Sequence, residues 1–229
     1  LRKATVASDE IETTAAQIAA ALEEEIALAY LAPRERLVEE ELAERFGVKR
    51  HVIRQALVEL DAMGVVVRQP NRGAAVKDFS AVEVEELWLV RTLVEGCAAK
   101  LIPLPVPAAM IHELKQIQNR HSAAVERQDL RKAFRANVQF HRVLFSACGN
   151  TLLVKTIEDL ASKARAVRSY SILDPQLLAN ARTEHLQIIE LLQTTERKVL
   201  VDLIKAHIQP AKVAYLRLTQ HKRTQLVRT

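Results

Sequence analysis

Seven histidines occur in the chain, and three of them stand where metal chemistry is conceivable. Asn137 and His141 are four residues apart, so a helix places them on one face. Glu184-His185 falls in a later helical stretch, and His207 follows His185 by 22 residues. Three helices can bring such histidines together inside a bundle, where neutral imidazole suits Zn, Ni, Cu or Fe. On spacing alone, histidines packed in a core or standing on the surface are the commoner explanation. Glu184 is the only carboxylate beside these positions, so no clear general base is present and the chain does not read as an enzyme. His112, His121 and His221 have no pattern behind them.

A second constellation is basic. The formal charge of +5 and pI near 9.3 permit an anionic partner, but the charge is not evenly spread. Residues 1–78 carry a net −3, whereas residues 45–77 hold 7 basic and 2 acidic side chains. Lys49, Arg50, His51 and Arg54 open a short helical stretch, the place from which a recognition helix reads a major groove. Arginine can bond guanine bidentately or clamp a phosphate. Arg72-Gly73 lies between two β-prone runs, where glycine lets the backbone approach a phosphate closely. A winged module used for protein contact, with merely solvated arginines, is the bland alternative.

Arg91 is a lone cation in an apolar helical run, Leu87-Trp88-Leu89-Val90 before it and Leu93-Val94 after. Such a residue requires an anion, either Glu95 one turn on or the carboxylate of a ligand. Arg135, Arg165 and Arg168 are weaker candidates for such an anion and read first as solvated helix faces. Trp88 and Phe140 read as core, and the basic tail beyond Arg217 as a frayed end.

The elements that must position these residues are mostly helices. Aromatic residues make up only 4% of the 229, and Gly numbers 5, while Ala, Leu and Glu abound; that balance favours helix over strand. Periodicity predicts helices near 10–30, 38–46 and 50–63, the last two stopped by Gly47 and Gly64. Two runs, 65–68 and 74–77, flank a Pro-Asn-Arg-Gly turn and predict a hairpin. Ser80 with Glu83 predicts a capping box opening a helix to about 101. Further helices are expected over 108–127, 129–147, 150–170, 175–193 and 196–220, the last kinked at Pro210. Ala43 at a helix crossing, Gly47 in the turn, and Leu42, Phe46, Val48, Ile53 and Ala56 around them fit a helix-turn-helix. The expected fold is mainly α: a winged helix-turn-helix over 1–78 and an all-helical bundle over 79–229.

Other classes fall away. No stretch nears eighteen apolar residues, no apolar signal core opens the chain, and no glycine-rich nucleotide loop or CxxC occurs. The missing initial Met points to a trimmed chain. Two cysteines, Cys97 and Cys148, are too few for a disulfide framework and suit free thiols in a cytoplasmic protein.

The run from Pro33 to Val48, with Arg50, Arg54, Ala56-Leu57 and Arg72-Gly73, resembles the DNA-binding domain of GntR-type bacterial transcription regulators. The resemblance implies operator contacts from Arg50, Arg54 and the wing tip. Two positions depart from the usual pattern: Lys49 replaces Ser or Thr, and His51-Val52 replaces a Thr/Asp-Pro/Thr pair. Asn137-x-x-Phe140-His141, Gly149-Asn150, Glu184-His185 and Lys205-Ala206-His207 resemble the effector domain of the FCD subclass, as does the Arg91 to Glu95 segment. The resemblance implies a divalent metal held by three histidines, matched by His141, His185 and His207, and by an Asp whose position is Asn137. An amide oxygen brings no charge to offset the dication, so affinity is expected to fall.

Taken with the resemblance, these readings give a homodimeric regulator, expected to repress, on a near-palindromic double-stranded operator. A small carboxylate effector would bind near the histidines and Arg91. A constitutive DNA-binding protein and, further off, a metal-dependent hydrolase are the other classes. No membrane contact is expected.

Overall fold

The computed structural model describes residues 13–69 and 73–226. Helix α1 (Ala15–Ala27) opens with a capping box between Thr14 and Gln17. It is shorter than the helix expected over 10–30, part of which lies outside the described residues. Strand β1 (Arg36–Leu37), α2 (Glu39–Phe46), α3 (Arg50–Met63), β2 (Val66–Gln69) and β3 (Gly73–Val76) complete the N-terminal region. Gly47 and Gly64 end α2 and α3 with φ of +66° and +75°, a conformation that costs other residues dearly. The expected hairpin is present in a three-stranded antiparallel sheet of order β1-β3-β2. Sequence reading missed β1, because two residues show no alternation.

The rest is helical. Helix α4 (Ala81–Leu101) starts in the expected Ser80–Glu83 capping box, which holds the Glu83 carboxyl down at about 2. It is followed by α5 (Ala108–Glu126), α6 (Leu130–Ser146), α7 (Thr151–Ile172), α8 (Pro175–Leu191), α9 (Arg197–His207) and α10 (Gln209–Leu226). The kink expected at Pro210 is a break at Ile208. Pro210 has no N–H to offer the carbonyl one turn back, so α9 stops and the chain restarts. Trp88 caps the junction by donating its indole N–H to the Ile208 carbonyl, 2.6 Å away.

One core joins Ile18, Leu22, Ile53, Leu57 and Leu60 to Trp88, Ala164, Val167 and Tyr215. The N-terminal region thus packs directly on α4, α7 and α10. A second core, around Leu114, Phe140, Leu144, Ile188 and Leu200, lies within the helical region alone. Helix α4 is apolar on two faces. Val84, Trp88 and Ala98 are buried, whereas Val82, Leu89, Val90 and Leu93 stand exposed along the other side. Among the described residues no helix is long and apolar enough to cross a membrane.

Candidate DNA-binding face and three-histidine site

Lys49, Arg50, His51 and Arg54 are all exposed at the start of α3. The hydrophobic positions behind them, Ile53, Ala56, Leu57 and Leu60, are fully buried and fix the helix's rotation. Arg54 is not free: its Nε and Nη2 donate to Glu39 on α2 at 3.3 and 3.0 Å. Arg50 pairs with Glu40 on the same helix. The hydrogen bond from Arg54 holds the Glu39 carboxyl below its ordinary range, with Arg68 and Arg50 adding to the effect. The acids of α2 are therefore counter-ions of the α3 arginines. Lys49 occupies the N-cap of α3 and gives no side-chain cap, as its chemistry demands. Gly73 has φ +80°, and a Cβ there would sit 3.2 Å from the Leu37 carbonyl oxygen. Pairing with β1 thus gives glycine a structural reason beside any phosphate contact. Arg72 lies outside the described residues.

His141 of α6, His185 of α8 and His207 of α9 converge, with one ligand-capable atom from each lying within 4.8 Å of the others. His185 Nδ1 donates to Gln118 Oε1 at 2.9 Å, and His207 Nδ1 donates to Glu184 Oε2 at 2.5 Å. The Gln118 amide is itself oriented, its Nε2 donating to Ser122 and to the Arg182 carbonyl. These partners fix the tautomers, leaving the Nε2 lone pairs of His185 and His207 directed inward. His185 Nε2 is buried and has no hydrogen-bond partner. His141 Nε2 and His207 Nε2 lie 3.3 Å apart. Two nitrogens bound tetrahedrally at 2.0–2.1 Å to one ion stand about 3.3–3.4 Å apart. The donor set therefore fits a divalent ion. Burial holds His141 and His185 well below the usual imidazole range, with His207 reinforcing it, so both are neutral at pH 7.

Asn137 lies one turn before His141, buried, with its Nδ2 lacking a partner. Arg91 is buried and bonded to Glu95, Nε and Nη2 each 2.9 Å from Oε1. The intrahelical partner expected from the sequence is therefore real, yet Arg91 Nη1 remains buried without an acceptor. Arg91, Asn137, His141 and His207 line a cavity with about 840 Å³ of empty space, part of it open to solvent. Of two further polar wall residues, one had no sequence signal and the other stood only as a weaker anion candidate. His121 of α5 is 1% exposed, and its ring lies 5.2 Å from that of His185. Burial, aided by Arg168, lowers its pKa to about 4. Arg168 of α7 faces the cavity rather than solvent, which corrects the surface reading, and burial beside Arg91 and Arg165 lowers its pKa to about 10. Arg165 is likewise not solvated; it pairs with Glu23. Arg135 is exposed but bonds Glu24.

Three consecutive glutamates of α1 reach three different helices, since successive residues on a helix point about 100° apart. Glu23 meets Arg165 and Ser162 of α7, Glu24 meets Arg131 and Arg135 of α6 at 3.0 and 2.6 Å, and Glu25 meets Arg45 of α2. Ala27, at the end of α1, is part of the cavity wall. Helix α1 is thus a strut between the helix-turn-helix and the cavity.

Comparison with known proteins agrees with this architecture. Residues 14–76 match the bacterial regulatory proteins of the gntR family, and residues 86–210, more than half of the chain, match the FCD domain. The HTH-type transcriptional repressor RspR of Escherichia coli K12 is 27% identical over 196 residues, covering 84% of this chain and 85% of that protein. Two solved structures share the fold at lower identity. Escherichia coli McbR/YncC has a TM-score of 0.79 and 18% identity, covering 90% of this chain and 98% of that one. A GntR regulator from Rhodococcus sp. RHA1 has a TM-score of 0.74 and 19% identity, with 88% and 97% covered. The chain belongs to the gntR family of bacterial transcription regulators, in the group that carries an FCD domain.

Proposed function

We propose that this regulator is a homodimeric repressor that releases a near-palindromic operator when a small organic acid enters its helical cavity. Arg50 and Arg54 read the operator, with Lys49, His51, Arg72 and Gly73 on flanking phosphates or bases. Their present partners, Glu39 and Glu40, do not oppose this strongly. Exposed pairs contribute about 0–1 kcal/mol, whereas a bidentate guanine contact discriminates by about 1–3 kcal/mol. The exposed apolar face of α4 supports dimerisation, since a two-fold axis can cover the same patch on both copies. The repressor sense rests on the likeness to RspR, a protein named as a transcriptional repressor.

His141, His185 and His207, with the Asn137 oxygen, would hold a divalent ion such as zinc or nickel. That ion would supply positive charge and an open position for a carboxylate. The convergence of three histidine nitrogens, with His185 Nε2 buried and without a partner, is the observation that carries this reading. Glu184, the carboxylate nearest these ligands, is committed to His207, which speaks against hydrolysis. An acid that fits one placement of α1 and α7 better than another would shift the DNA-binding modules through the Glu23 and Glu24 contacts. Elemental analysis of protein purified without chelator or a His-tag tests the site. About one ion per chain, lost in His185→Ala, is expected; no ion after incubation with excess metal would remove the metal from the reading.

A further inference from the structure

The second cavity in the bundle, with about 600 Å³ of empty space, lies against the first. Arg91, Asn137, His141 and Arg168 line both, so these four side chains form the partition between two lobes. Their charges do not balance. Arg91 is paired with Glu95 and Arg165 with Glu23, while Glu184 accepts a hydrogen bond from the His207 ring. Arg168 forms no ion pair among the described residues; Arg91 and Arg165 press on it, and Glu95, already bonded to Arg91, offsets them only in part. A partly buried guanidinium beside like charges is costly unless an anion joins it.

The same partition is short of acceptors. Arg91 Nη1 and Asn137 Nδ2 are both buried donors without partners. The neutral Asn137 adds a further deficit, since it supplies no negative charge beside the histidines. A carboxylate at the histidine centre leaves the Arg168 side of the partition without an ion pair. Phe134, Ile172, Leu177 and Leu178 form an apolar wall on the same cavity, suited to a short carbon chain.

We infer that the effector carries two acidic groups, one taken at the three-histidine centre and the other by Arg168 beside the free edge of Arg91. Arg168 is then the residue that distinguishes a diacid from a monoacid of equal length. This inference rests on the proposed response to an organic acid, and the experiment separates their failures. Full-length protein loaded with zinc is titrated calorimetrically with malonate, succinate, glutarate and adipate, and with the monocarboxylate of the same carbon number in each case.

The best diacid is expected to bind at least about tenfold tighter than its monoacid. Arg168→Met should bring the pair to near equality without weakening the monoacid, while Arg168→Lys keeps part of the preference. An unchanged thermal midpoint checks that each variant folds. Equal binding of the two series by the wild-type protein would overturn the second anchor and leave a carboxylate effector standing. Binding of neither series would overturn both.

Discussion

Arginines at the two functional regions differ in what surrounds them. On α3, Arg50 and Arg54 are exposed and already paired with acids of α2 from the same module. In the bundle, Arg91 is buried with one edge unpartnered, and the partly buried Arg168 forms no ion pair among the described residues. Exposed pairs are weak, so DNA phosphates or bases can replace them at small cost. Buried cations interact through a poorly screening medium, so a missing partner there is a strong demand for one. On the proposed function, the first region exchanges partners and the second admits one.

Acid should separate the regions most. His121, with a folded pKa near 4 against an ordinary 6.5, contributes stability present above about pH 6.5 and lost as pH falls towards 4. Over that window the loss is about 3 kcal/mol, and His141 and His185 act in the same direction. Denaturant melts at several pH values should show this slope, and His121→Leu should flatten it. An unchanged slope in the variant would mean that the cavity is not dry around this ring.

Arg54→Ala should weaken operator binding about 10- to 100-fold and relax base preference, measured by fluorescence anisotropy at fixed salt. Equal weakening on all sequences would instead make Arg54 a phosphate contact. Lys49→Ser, by supplying the missing cap of α3, should raise stability by about 1 kcal/mol in thermal melts. No gain would show that the exposed start of α3 needs no cap. The smallest effect is expected from Glu39→Gln, which frees Arg54 and should tighten DNA binding by at most about fivefold. A larger gain would make the α2 acids a brake on DNA binding rather than exchangeable partners.

Much of the fold was legible because its signals are local. Gly47 and Gly64 stop their helices by conformation, the α3 apolar positions recur at helical spacing, and the Ser80–Glu83 box lies within four residues. The break at Ile208 was foreseeable from Pro210, though not its place. Strand β1 was invisible, since its partner β3 lies nearly forty residues away and two residues carry no period. The histidine cluster was open to a bland reading from spacing alone; its metal reading leaned on resemblance.

Local signals were enough for the helix-turn-helix, the concentration of basic side chains at the start of α3 and the helical character of the chain beyond Phe79. Each depends on neighbours within a few turns. Which charged groups are paired follows from packing in three dimensions. Arg165 and Arg168 stand three residues apart on α7, yet one meets Glu23, over 140 residues away in the chain, and the other faces the histidine cavity. From α5, His121 lines that cavity and Gln118 holds His185, with no motif to announce either. Desolvation and Coulomb energy depend on burial and distance in space, and neither follows from separation along the chain.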